Sequence, residues 1–114
     1  MTELLYSDLT KKIRQAAFEV HQYFGNGFLE KVYENTLKYK LIKLEMIVKQ
    51  QEPIKVYYEN KIIVGEYIAD LIVENIIIIE VKAVKTLDKI HFSQLKNCLK
   101  ATKFRLWLLI NFGS

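Results

Sequence analysis

Ile76–Ile77–Ile78–Ile79–Glu80–Val81–Lys82 is the stretch that decides the fold. Four isoleucines in succession cannot divide between a wet and a dry face. They predict a strand covered on both sides, in the middle of a sheet rather than at its edge. Glu80 contradicts that apolar run, and Lys82 follows two positions later. Side chains two apart in a strand share a face, so a carboxylate and an ammonium emerge side by side near the end of a buried strand.

Upstream, Glu74–Asn75 reads as a tight turn that joins this strand to a longer one, Ile62–Val73, with a bulge expected at Gly65. So short a connection makes the two strands an antiparallel pair. Asp70 interrupts the apolar segment Ile68–Val73. Counted out from the turn, Asp70 and Glu80 lie at similar depths, so two carboxylates and Lys82 converge on one cleft. Charges so placed cost several kcal/mol of desolvation unless they are paired or bound to a metal. Two structural readings compete with a functional one. Asp70 could satisfy backbone groups at a bulge, and Glu80 with Lys82 could form an intrastrand ion pair.

Before that pair, Glu59–Asn60–Lys61 reads as another turn, and Ile54, Val56 and Tyr58 alternate with Lys55 and Tyr57 as in a strand. Pro53 marks its entrance or an edge, because proline cannot donate to a central ladder. The front of the chain is helical. Leu9, Ile13, Ala16, Ala17, Val20 and Phe24 recur at three- and four-residue spacing, with Ser7 or Asp8 as the capping residue. Gly25–Asn26–Gly27 ends that helix. Leu29, Tyr33, Leu37, Leu41 and Leu44 then mark a second one, in which Glu30 shares the core-facing phase. Glu30 is also in the first turn, where unpaired N–H groups favour an anion. Downstream, Leu87–Ala101 has helical phase with Gln94 near its apolar face, and Phe104–Ile110 returns to a continuous apolar strand. The predicted order is helix, helix, strand, strand, strand, helix, strand, a mixed α/β domain.

Composition bounds the function. A chain of 114 residues makes one domain, residues 1–114, and buries about two-thirds of its surface without needing a metal or disulfide. A single cysteine excludes an intramolecular disulfide. The start of the chain has no basic segment followed by an apolar run, and no stretch is long enough to span a membrane, so the cytoplasm is the expected location. A net charge of +4 permits an anionic partner without demanding one.

The sequence resembles the GxxExxY proteins of the PD-(D/E)xK nuclease-like superfamily. The motif stands here as Gly27–Phe28–Leu29–Glu30–Lys31–Val32–Tyr33, preceded by Ala17–Phe18–Glu19–Val20–His21. Gly65–Glu66–Tyr67–Ile68–Ala69–Asp70, Ile79–Glu80–Val81–Lys82–Ala83, His91–Phe92–Ser93–Gln94–Leu95 and Leu108–Leu109–Ile110–Asn111–Phe112 follow in the family's order. Ile68 stands where relatives commonly have arginine or an aromatic residue. The resemblance implies a restriction-endonuclease-like core, a mixed sheet of about four strands flanked by helices. It implies that Asp70, Glu80 and the Val81 carbonyl hold a divalent cation, with Glu30 as a third carboxylate. Oxygen-only ligands suit Mg²⁺ or Mn²⁺. Lys82 would then activate the attacking water, Gln94 would position Lys82 or that water, and Tyr33 would pack behind Glu30.

The function implied is metal-dependent phosphodiester hydrolysis, on DNA rather than RNA. The alternative is a catalytically silent nucleic-acid-binding or accessory module that keeps the fold. Against silence, Glu30, Asp70, Glu80 and Lys82 are all present. Lys11, Lys12, Arg14, Lys31, Lys85, Lys89, Lys96, Lys100 and Lys103 are candidates for a phosphate-binding surface, with ordinary helix solvation as the competing reading. A homodimer is a further expectation, with Tyr57, Tyr58 and Tyr67 of the outer hairpin as interface or base-stacking groups. His21 and His91 stay outside the catalytic set.

Overall fold

A computed structural model describes residues 2–90, 93, 104 and 106–113, with side chains from residue 7 onward. Helix α1 (Thr2–Phe24) buries Ile13, Ala16, Ala17 and Val20, the stripe its spacing predicts. It begins earlier than expected. Ser7 and Asp8 lie inside it rather than at its cap, because residues 2–6 contain no glycine or proline to stop the helical ladder. Asp8 instead pairs with Lys12 one turn on, at 3.7 Å across an exposed face. At the other end Gly25 adopts φ +68° and donates its N–H to the His21 carbonyl at 2.7 Å, which turns the chain out of the helix.

Helix α2 (Glu30–Lys43) buries Tyr33, Glu34, Leu37 and Leu41. Tyr33 fixes the link between the helices. Its hydroxyl donates to the Gly25 carbonyl at 2.6 Å and accepts the Phe28 N–H at 3.2 Å, while its ring stacks on Phe112 with centroids 4.7 Å apart. Removing the hydroxyl leaves a donor and an acceptor of the loop without their partner. Tyr33→Phe is expected to lower the unfolding free energy by about 1–2 kcal/mol, read as a shifted urea midpoint with unchanged slope.

Four strands follow: β1 (Val48–Tyr58), β2 (Ile62–Val73), β3 (Ile77–Lys82) and β4 (Leu106–Asn111), side by side in the order β1-β2-β3-β4. The first two pairings are antiparallel and β3–β4 is parallel, so the sheet is mixed, as expected. Both hairpins turn through a Glu–Asn pair with positive φ at each residue, Glu59–Asn60 and Glu74–Asn75. Two successive left-handed residues give the turn whose twist matches that of paired strands. β1 starts five residues before Pro53, because Val48–Gln50 pairs with the inner end of β2. Pro53 is tolerated there because β1 is an edge strand. The β1–β2 register slips after Val56↔Gly65, next to the glycine expected to mark a bulge.

The isoleucine run is covered on both faces. Ile77, Ile79 and Val81 pack under the two helices with Leu71, Val73, Tyr33 and Phe112. Ile78 faces the other way, into a smaller cluster with Ile54, Ala69, Ile72, Tyr67 and Trp107. After β4 the chain is tied back to the end of β3. The Asn111 side chain accepts the Val84 N–H at 3.0 Å and donates to the Val84 carbonyl at 2.9 Å. A Cβ on Gly113 would collide with the Val84 backbone, so the close approach requires glycine there. The helix predicted over residues 87–101, with Gln94 and His91, lies largely outside the described residues. Among the described residues no helix is long and apolar enough to cross a membrane.

Candidate active site

Regular alternation along β2 fails at one residue. Leu71 and Val73 face the helices, yet Ala69, two residues before Leu71, faces the opposite cluster. The strand pivots at Asp70. The β2–β3 ladder also ends there, with Leu71↔Ile79 as its last pair, so Asp70 and Glu80 occupy the first opposed positions beyond it. Asp70 fills the gap itself. Its Oδ2 accepts the Val81 N–H at 2.8 Å, in place of the carbonyl that a continued ladder would supply. The antiparallel register agrees with the expectation that Asp70 and Glu80 lie at similar depths.

Glu80 is buried, at 5% exposure, and its Oε1 has no hydrogen-bond partner among the described residues. Burial pushes its carboxyl up to about 7, with a further push from the charge of Asp70 and a hydrogen bond to it. A hydrogen bond from Tyr67 and the charge of Lys82 act in the opposite sense without cancelling the burial. Tyr67, one of the hairpin tyrosines expected as interface or base-stacking groups, hydrogen-bonds Glu80, and its ring lies edge-on to Trp107 at 5.3 Å. Lys82 is half-buried at the end of β3 and forms no ion pair among the described residues. The intrastrand Glu80–Lys82 ion pair is thus not formed, although the lysine charge is felt at the carboxylate.

The helix contribution differs from the expected one. Glu30 is the first residue of α2 and is exposed rather than core-facing. It shares the helical phase of Tyr33 and Glu34, but no turn precedes it to cover it. Glu34, one turn further in, is the buried carboxylate, at 3% exposure. Its Oε2 accepts from Lys31 Nζ at 3.1 Å, Gln50 Nε2 at 2.7 Å and Gln51 Nε2 at 3.0 Å. Gln51 Nε2 also donates to Asp70 Oδ1 at 3.1 Å. Sequence reasoning passed over Glu34 and Gln51. The signal for Glu34 was present, since an acid three residues before Leu37 and seven before Leu41 lies in an apolar stripe. Gln51 gave no comparable signal, because its role depends on strand pairing.

Gln94 lies outside the described residues, and His21 packs against Phe112 with centroids 6.3 Å apart, its Nε2 without a partner among the described residues. Among the described residues no three His, Cys, Asp or Glu side chains form a ready metal cage. Asp70 and Glu80 offer carboxylate oxygens only, the donor chemistry that a hard divalent cation takes. A buried carboxylate with an unsatisfied oxygen is what such an ion would complete.

A family model described as the PD-(D/E)XK nuclease superfamily matches residues 7–114. No curated protein and no solved structure matches the chain.

Proposed function

Because the chain belongs to the PD-(D/E)XK nuclease superfamily, we propose that it is a nuclease of the GxxExxY branch, dependent on Mg²⁺ or Mn²⁺, which hydrolyses phosphodiester bonds in DNA. The observation that carries this reading is Glu80: a buried carboxyl with an oxygen that has no partner among the described residues, beside Asp70 at the point where two strands part. Asp70, Glu80 and the Val81 carbonyl would hold the cation, which supplies charge stabilisation at the phosphate and a lower pKa for bound water. Glu30 is retained as the proposed third carboxylate, acting through water given its exposure.

The rest of the work belongs to side chains. Lys82, with no ion-pair partner among the described residues, would orient the attacking water, take its proton and balance charge on the phosphate. Asp70 is held in place by the Val81 N–H. Gln94 would orient Lys82 or the water. The bond formed joins the water oxygen to phosphorus, and the bond broken releases one of the two esterified sugar oxygens.

A cleavage assay with Mg²⁺ and Mn²⁺ on single-stranded, duplex and branched DNA tests the proposal, with RNA as the comparison substrate. Metal-dependent cleavage that Lys82→Ala removes supports it. Binding without cleavage by the wild type assigns the chain to the silent-module alternative. Lys11, Lys12, Arg14, Lys31, Lys85 and Lys89 are the described candidates for phosphate contact. Binding through them is expected to weaken as salt rises, with log affinity falling by about 0.9 per phosphate contact per tenfold salt on duplex DNA. An affinity that is flat between low and moderate salt would remove these residues from the interface.

A further inference from the structure

Gln51 stands out on two independent counts. Its backbone adopts φ +50° in the middle of β1, a left-handed conformation that a non-glycine residue rarely takes inside a strand. The β1–β2 ladder skips it as well: Gln50 pairs with Leu71 and Glu52 with Ala69, but Gln51 and Asp70 between them do not pair. Backbone strain and ladder interruptions of this kind persist where something in the surroundings requires them. Here the strained residue directs one Nε2 group toward two carboxylates, Glu34 at 3.0 Å and Asp70 at 3.1 Å. An amide nitrogen carries two hydrogens, so it can serve one oxygen of each.

We propose that Gln51 is a positioning residue of the cleft, whose amide ties Asp70 to Glu34 on α2 and so fixes the orientation in which Asp70 presents its second oxygen. The link runs from the helix to the metal side in three steps. Lys31, Gln50 and Gln51 hold Glu34, Gln51 holds Asp70 Oδ1, and Asp70 Oδ2 accepts the Val81 N–H. Two carboxylates linked in this way repel each other less than they would side by side, because each accepts from the same neutral donor. The side chain is exposed at the strand edge, so it contributes to geometry rather than to the core. Its consequence for metal binding rests on the nuclease reading above. Its consequence for Asp70 does not.

The experiment therefore has a metal-free arm and a metal arm, each with Gln51→Ala and Gln51→Glu. Alanine removes the amide. Glutamate keeps the shape, loses both donors and adds an anion. In EDTA, amide hydrogen exchange is followed residue by residue. If Gln51 holds Asp70, the Val81 amide should exchange about tenfold faster in both variants, while Ile72 and Ile78 keep the wild-type rate. Unchanged Val81 exchange overturns the proposal. Equal acceleration of all three amides also overturns it, since that is general destabilisation. In the metal arm, Mn²⁺ titrated calorimetrically should bind about 10–100-fold more weakly to both variants than to the wild type. Equal affinity in wild type and variants overturns the link to the metal. A wild type that binds no Mn²⁺ overturns the nuclease reading, and the exchange arm then decides the role of Gln51 alone.

Discussion

Glu80→Gln is expected to raise the melting temperature of the metal-free protein at pH 8 by about 5–10 °C and to abolish metal-dependent cleavage. The stabilisation follows from the carboxyl being pushed up from 4.5 to about 7 by burial. A raised acid pKa means that the folded state holds its proton more tightly than the unfolded chain does. The stability of the metal-free protein is therefore fully present below about pH 4.5 and is lost as pH rises toward and through about 7. The ceiling of that loss is about 3 kcal/mol, and partial solvation of the carboxyl in the folded state brings the expected figure nearer about 2 kcal/mol. For a domain of this size each kcal/mol moves the midpoint by about 3–5 °C. Glutamine carries no charge to desolvate, so wild type and variant should converge near pH 4 and separate above pH 7 in EDTA. Mg²⁺ at pH 8 should raise the wild-type midpoint and leave the variant unmoved, because a coordinating carboxylate must be ionised. The opposite result is equally informative. If Glu80→Gln melts far lower in EDTA and the wild type gains nothing from Mg²⁺ or Mn²⁺, the cleft is structural scaffolding and the nuclease assignment falls.

Lys82 carries the second large effect. Lys82→Ala is expected to lower the cleavage rate by about 10²–10⁴-fold, the range removed with a proton-transfer group. Mn²⁺ affinity should change little, because the lysine is proposed to face the water and phosphate rather than the cation. The thermal midpoint should also hold, since Lys82 is half-buried and has no ion-pair partner to strand among the described residues. Lys82→Arg separates two roles. Arginine keeps the positive charge but does not give up its proton near neutrality. Recovery in Lys82→Arg assigns the residue to charge stabilisation. A rate as low as that of alanine assigns it to proton transfer. Unchanged cleavage in Lys82→Ala removes Lys82 from the mechanism.

The strands and helices announce themselves wherever burial has a period. The α1 stripe, the two Glu–Asn turns and the double-sided isoleucine strand all appear at their expected places, because each is written in a short continuous stretch of residues. Asp70 and Glu80 were legible as charges that break an apolar pattern at similar distances from a short turn. The start of β1 was not. Val48–Gln50 has no strand signature of its own and becomes a strand only by pairing with the inner end of β2.

The chain by itself determined the buried stripe of α1, where the two hairpins turn, and that Asp70 and Glu80 lie at similar depths beside the central strand's end. Tertiary structure alone decided which acid of α2 is buried and which stays exposed. Helical phase places Glu30 and Glu34 on the same side, and phase cannot say where cover begins along the axis. The fold answers that by laying β1 against the second turn of α2, so that Glu34 is enclosed by Gln50 and Gln51 while Glu30 stays in water. The environment of Glu80 was settled in the same manner. Its charge is a property of the residue, but its shifted affinity for a proton comes from burial beside Asp70 on a strand ten residues away in the chain. Desolvation and hydrogen bonding depend on neighbours in space, and those neighbours come from pairings no local pattern encodes.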